Sequence, residues 1–389
     1  MRSMCPSNAV VPDSSRWRPG DGKLITASRL TLARKRRGLT LVRLAQLVGV
    51  SSRTISAYEN NDGRPSAETL SRLAEVLGFP ESFFIAEELD ELTPDAASFR
   101  ALSKLTAGQR DAALSAGRLA MKLSSWIMER FRLPEPDVPS LNLFHDVREA
   151  ANPESAAEVV RARWGLGNAP VPNMIHLLEA HGVHVFSLAQ ECIEVDAFSL
   201  WRKGAPFIFL NTLKTAERSR FDAAHELGHL VLHSEDRIPH GREQELEANH
   251  FAASFLMPKS SVLAHMPRCP STRQIVAGKR IWKVAAMALT HRLYEIGLSS
   301  DWHYRNATIE LGRLGYRTGE PGGILRESSQ VFTKVFSALR AEGLTLNEVA
   351  KELHLSTADL NELVFGLVVT ALDGGASGGK PQRPNLKVV

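Results

Sequence analysis

Between residues 23 and 85, four short segments with apolar residues at helical spacing are each opened by a serine or threonine: Ser28, Thr40, Ser51 and Ser66. Gly38, Gly49 and Gly78 close three of them. A hydroxyl at a helix start accepts a bond from an N–H with no partner in its own helix, and glycine takes the left-handed turn that ends one. Four such helices in about sixty residues can bury their apolar stripes only against one another, which predicts a compact bundle. The segment holds ten Lys or Arg against five acids, a net charge of +5, while the complete 389-residue chain carries +4. Attraction to a polyanion is therefore local to this bundle.

The chain is long and apolar enough, at 43 % hydrophobic residues, for two or three domains. Residues 1–22 lack periodicity and read as disordered, with Met1 or Met4 as the start. Residues 23–85 form the bundle. Residues 86–140 read as a helical linker, with Phe99, Leu102, Leu105, Leu114, Leu119, Leu123 and Ile127 in period and a proline-rich end at LPEPDVP. In residues 141–320, helices alternate with three short strands, VHVFSL, IEVDAFSLW and PFIFLN, which implies an α+β domain. A helical unit over 321–370 and a glycine-rich tail over 371–389 follow. The fold class expected is multidomain and mainly α. Cys5, Cys192 and Cys269 have no paired spacing, so neither a disulfide framework nor a zinc knuckle is encoded, which suits a reducing cytoplasm. No apolar run reaches membrane-spanning length, and no membrane partner is expected.

Within the bundle, a second helix lying in a DNA groove must present donors outward. Ser52, Arg53, Thr54 and Ser56 meet that need, with Ile55 turned inward, and Asn60 and Arg64 stand just beyond to meet phosphates. Arg34, Lys35, Arg36 and Arg37 add charge that a phosphate backbone would attract. An internal echo recurs later: residues 38–51, GLTLVRLAQLVGVS, align without gaps to residues 343–356, GLTLNEVAKELHLS. The second copy continues with Thr357, Ala358, Asp359, Asn361 and Glu362, and acids repel phosphates, so it is assigned to packing or dimerisation.

Residues 225–229 read His-Glu-Leu-Gly-His, a spacing that a chain of this composition would produce about 0.05 times by chance. On a helix the two imidazoles lie about 40° apart on one face and can grip one ion, with Glu226 beside it as proton acceptor. A third ligand must come from the acidic helix near Arg242, where Glu243, Glu245 and Glu247 compete. With Phe251 and Phe255 inward, Glu247 and Glu243 share the inner face and Glu245 is expected to point to solvent. His233 extends the histidine face but stands a turn, about 6 Å, beyond the pair, and is expected to be structural; His250 is read as structural, with a role as acid or oxyanion donor as the alternative.

Two resemblances follow from these residues. Arg34, Arg37, Gly38-Leu39-Thr40, Leu44-Ala45, Gly49-Val50-Ser51, Ile55-Ser56, Tyr58-Glu59 and Pro65-Ser66 resemble the Xre family of lambda-repressor-like helix-turn-helix domains, departing from it at Leu41, where that family usually has Gln. The resemblance implies operator DNA as a partner and a homodimer on paired half-sites. FDAAHELGHLVLH and EQELEANHFAASFLMP, with the preceding VDAFSLWRKGAPFIFLN, resemble the ImmA/IrrE family of metallo-endopeptidases over about residues 141–320. That resemblance implies a zincin-like domain with one Zn2+ per chain on His225, His229 and Glu247, Glu226 as general base, and Asn249 supporting a ligand from behind. The implied function is a DNA-binding transcriptional regulator whose zinc endopeptidase, active or latent, cleaves a repressor or regulator protein in response to a signal. The competing reading is a non-proteolytic repressor, or an antitoxin-like regulator, with a vestigial or sensory zinc site.

Overall fold

The computed structural model describes residues 24–92, 98–99, 106–141, 152–188, 195–233 and 241–364. The terminal segments expected to be disordered or flexible lie outside these residues. Five helices open the chain: α1 (Ala27–Arg36), α2 (Leu41–Val48), α3 (Ser52–Glu59), α4 (Ala67–Leu77) and α5 (Glu81–Ile85). Thr40, Ser51 and Ser66 each accept the backbone N–H three residues on, while Gly49 and Gly78 close their helices with left-handed φ. The first helix differs from the expectation. It starts one residue before Ser28, and Thr26, the residue preceding it, donates its hydroxyl to the Ala86 carbonyl instead of capping. A hydroxyl that ties the bundle's start to its end is satisfied by tertiary contact, which spacing does not reveal. Leu30, Leu44, Ile55, Leu70, Leu73, Phe83 and Phe84 fill the core.

Helix α6 (Ala107–Met128) follows, and its helical period does not extend back to Phe99. Ser98 and Phe99 instead form a short strand, β1 (Ser98–Phe99), antiparallel to β3 (Ala197–Arg202). An apolar period over few residues fits helix or strand, and an available sheet edge decides the outcome here. The sheet has the order β1-β3-β4-β2, with β2 (His184–Ser187) parallel to β4 (Ala205–Leu210) and β3 antiparallel to it. Lys203 and Gly204, both with positive φ, make the two-residue turn between β3 and β4 that matches strand twist.

Alternate residues of β3 face opposite layers. Phe198 stacks on Phe209 toward α6, where Gly117 meets both rings, and Ser199 and Trp201 face α9 (Ala216–Leu232). With both faces covered, β3 and β4 are buried almost continuously. Helix α7 (Pro153–Arg163) and helix α8 (Met174–Ala180) flank α9, and α10 (Arg242–Leu256) packs along it. Helices α11 (Lys259–His265), α12 (Thr272–Trp282), α13 (Ala286–Glu295) and α14 (Asp301–Arg313) complete this layer. The last unit is α15 (Gln330–Ala341), α16 (Leu346–Glu352) and α17 (Thr357–Val364). The architecture is multidomain and mainly helical, with helix-turn-helix elements first, a central α+β region and helices last.

Candidate metal centre

Helix α9 carries His225, Glu226 and His229 in its buried second half, with relative exposures of 0 %, 0 % and 5 %. Its neighbour α10 comes unusually close because position 228 is glycine: an added Cβ would lie 3.1 Å from Phe251 Cδ1 and 3.3 Å from the Ala248 backbone. Ala248 therefore marks the centre of the α10 contact face. At 100° per residue, Glu245 and Asn249 fall on one side of that centre and Glu247 on the other.

This geometry corrects the expected third partner. Glu245 Oε2 lies 3.5 Å from His225 Nε2, Glu245 Oε1 lies 3.4 Å from His229 Nε2, and the two Nε2 atoms are 3.1 Å apart. Glu247 instead reaches His233, 3.0 Å from its Nε2, and Glu243 is exposed. Centring the face on Phe251 misassigned these carboxylates. The small residues Gly228 and Ala248, which mark where the backbones touch, were the available signal.

One ligand atom from each of His225, His229 and Glu245 lies within 4.8 Å of the others, with a different Glu245 oxygen nearest each ring, a spread that a small closure brings to the edges of about 3.3–3.6 Å of a tetrahedral ion with ligands at about 2.0–2.2 Å. The donor chemistry also fits. Asn249 Oδ1 lies 3.1 Å from His225 Nδ1, and an amide oxygen can only accept. His225 therefore carries its proton on Nδ1 and turns the Nε2 lone pair toward Glu245. His225, His229 and Glu245 are the one such group among the described residues.

Glu226, next to His225 on α9 and fully buried, accepts a 2.7 Å hydrogen bond from Ser199 Oγ at its Oε2. Ser199 was not singled out from the sequence, although a lone hydroxyl in the apolar strand AFSLW marks it. His250 turns outward to Glu295 on α13, at 3.5 Å, away from the centre.

On the first bundle, Ser52 and Arg53 of α3 are exposed and Thr54 and Ser56 half-buried, while Ile55 and Tyr58 are buried; Asn60 and Arg64, just past the helix, are exposed. Thr54 Oγ1 shares a 2.8 Å hydrogen bond with Ser51 Oγ, and Asn60 Nδ2 donates weakly to Ser56 Oγ at 3.4 Å. The four neighbouring cations are not free for phosphate. Arg34 is forked onto Glu59, Lys35 meets Asp111, Arg36 meets Glu362 and Arg37 is forked onto Asp359.

Comparison with known families gives two matches. Residues 30–84 match the family model described as helix-turn-helix, and residues 178–294 match Peptidase_M78, the IrrE N-terminal-like domain. The chain joins an Xre-like helix-turn-helix to an IrrE/ImmA-like domain. A search of curated proteins gives no match. No helix among the described residues is long and apolar enough to cross a membrane.

Proposed function

We propose that the chain is a DNA-binding regulator carrying a zinc-dependent endopeptidase that cuts a repressor or other regulator protein on a signal. The observation that carries the enzymatic part is the convergence of His225 Nε2, His229 Nε2 and the Glu245 carboxylate, whose two oxygens lie 3.5 Å and 3.4 Å from the respective rings, with a buried carboxylate one residue after His225. His225, His229 and Glu245 would hold one Zn2+, replacing Glu247 in the ligand set inferred from resemblance. A zinc ion so bound supplies Lewis acidity toward a peptide carbonyl and a water of lowered pKa.

The remaining work falls to this chain's residues. Glu226 accepts a proton from the water that attacks the carbonyl carbon, and passes it to the amine as the C–N bond breaks and the new C–O bond stays. Ser199, donating to Oε2, fixes which way that carboxylate faces. Asn249 keeps the His225 ring from turning. Operator binding rests on the outward groups of α3, Arg53 foremost, with Ser52, Thr54, Ser56, Asn60 and Arg64 around it. Two half-sites would call for a homodimer.

Zinc stoichiometry tests the centre. The wild-type chain is expected to hold about one equivalent and His225→Ala, His229→Ala and Glu245→Ala to lose it. Glu247→Ala should still bind one equivalent at saturating zinc. Loss in Glu247→Ala with retention in Glu245→Ala would reverse the assignment. Glu226→Gln should keep the metal and lose peptide hydrolysis; full hydrolysis by that variant removes Glu226 as base. For DNA, Arg53→Ala should cost about 1–3 kcal/mol at the preferred operator and flatten discrimination between sequences in a salt titration.

A further inference from the structure

His233 was expected to be a bystander, one turn past His229. It is 16 % exposed at the side chain, and its two ring nitrogens are both engaged: Nδ1 lies 2.9 Å from His229 Nδ1, and Nε2 lies 3.0 Å from Glu247 Oε2. Two Nδ1 atoms at hydrogen-bond distance share one proton between them, so one ring donates and the other accepts. The carboxylate at the far end decides which. Glu247 Oε2 only accepts, so the His233 proton sits on Nε2, and in the neutral ring Nδ1 is then a lone pair. His229 must be the donor. Its proton is held on Nδ1, and its Nε2 presents a lone pair toward His225 and Glu245.

We propose that His233 and Glu247 form a relay that positions His229, fixing both its tautomer and its ring plane for metal binding. The inference rests on the metal-centre reading above and adds two residues that neither coordinate nor react. It also accounts for the two competing carboxylates: Glu245 faces the ion and Glu247 faces the ring behind it. The two histidines of the pair are thereby supported from behind by different chemistry, His225 by an amide oxygen of α10 and His229 by the histidine that follows the last residue of α9, backed by a carboxylate of α10. An ion at this centre is thus tied to α10 through three side chains, Glu245, Glu247 and Asn249.

The test is a zinc titration of the full chain against a chromophoric chelator, with thermal unfolding of the metal-free chain run in parallel. His233→Leu removes the acceptor and should weaken zinc binding by about 10- to 100-fold. His233→Asn puts a carbonyl oxygen where Nδ1 stood and should recover most of that loss although the link to Glu247 is gone. Glu247→Leu leaves His233 free to choose either tautomer and should weaken binding by less than His233→Leu. Metal-free unfolding temperatures of the three variants should stay near wild type, since a purely structural role would move those and not the affinity. Zinc affinity of His233→Leu within twofold of wild type, or an Asn variant as weak as the Leu variant, overturns the relay. A wild-type chain that takes up no zinc in the same titration overturns the metal centre itself, a separate outcome.

Discussion

His184 shows what one buried titratable group does to the whole chain. On β2 its Nδ1 lies 2.8 Å from Ser124 Oγ and its ring stacks on Phe207, and burial pushes its pKa down to about 4. The unfolded chain binds a proton near pH 6.5 and the folded chain does not, so the stability this neutral ring allows is complete above about pH 6.5 and is lost as pH falls toward 4. A difference of that size is worth about 3 kcal/mol. His184→Gln should flatten the acid limb of a plot of unfolding free energy against pH between those values; an unchanged limb would show that another group governs it. At the same scale, the residues of the candidate centre divide by how much of their placement is local. His225, Glu226 and His229 were legible because all three lie within five residues of one helix, where the periodicity fixes their mutual direction. Glu245 was not, because which of two neighbouring carboxylates turns inward depends on how α10 is rolled against α9.

That roll is set at the level of the element. Gly228 lets the two helices approach until Phe251 and the Ala248 backbone fill the space a side chain would occupy. Gly228→Ala must push α10 away by a few tenths of an ångström or more. It is expected to cost about 1–3 kcal/mol in stability. It should also lower zinc affinity more than Gly108→Ala, a substitution in the first turn of α6 where an added Cβ meets nothing. Equal affinities would mean that the approach of α10 does not set the centre. Capping shows the same division between local and distant causes. Thr40, Ser51 and Ser66 act through neighbours three residues away and were read correctly, whereas the start of α1 depends on Ala86, sixty residues downstream, and was not.

Across the whole molecule, the second copy of the helix-turn-helix pattern is used as packing. Its α17 sets Asp359, 1 % exposed, against the Arg37 guanidinium with two bonds of 2.9 Å, and Glu362 against Arg36, itself fully buried. Ser187 on β2 donates to the Glu362 and Leu363 carbonyls, so α17 bridges the first bundle and the sheet. Asp359→Ala leaves buried positive charge poorly matched and should destabilise the chain by about 3–5 kcal/mol in denaturant unfolding; a change below about 1 kcal/mol would show that the bridge is dispensable. The sequence by itself determined the helices of the first bundle, its outward polar groups and the histidine pair with its glutamate, because each depends on residues within a turn or two. It also marked the acids of the second copy as unfit for DNA. Only the tertiary structure decided that Arg36 and Arg37 face those acids instead of phosphate, that Glu245 and not Glu247 meets His225 and His229, and that Ser199 and His233 stand behind Glu226 and His229. Those choices rest on distances between segments remote in the chain, and such distances are fixed by how the layers pack rather than by any periodicity along it.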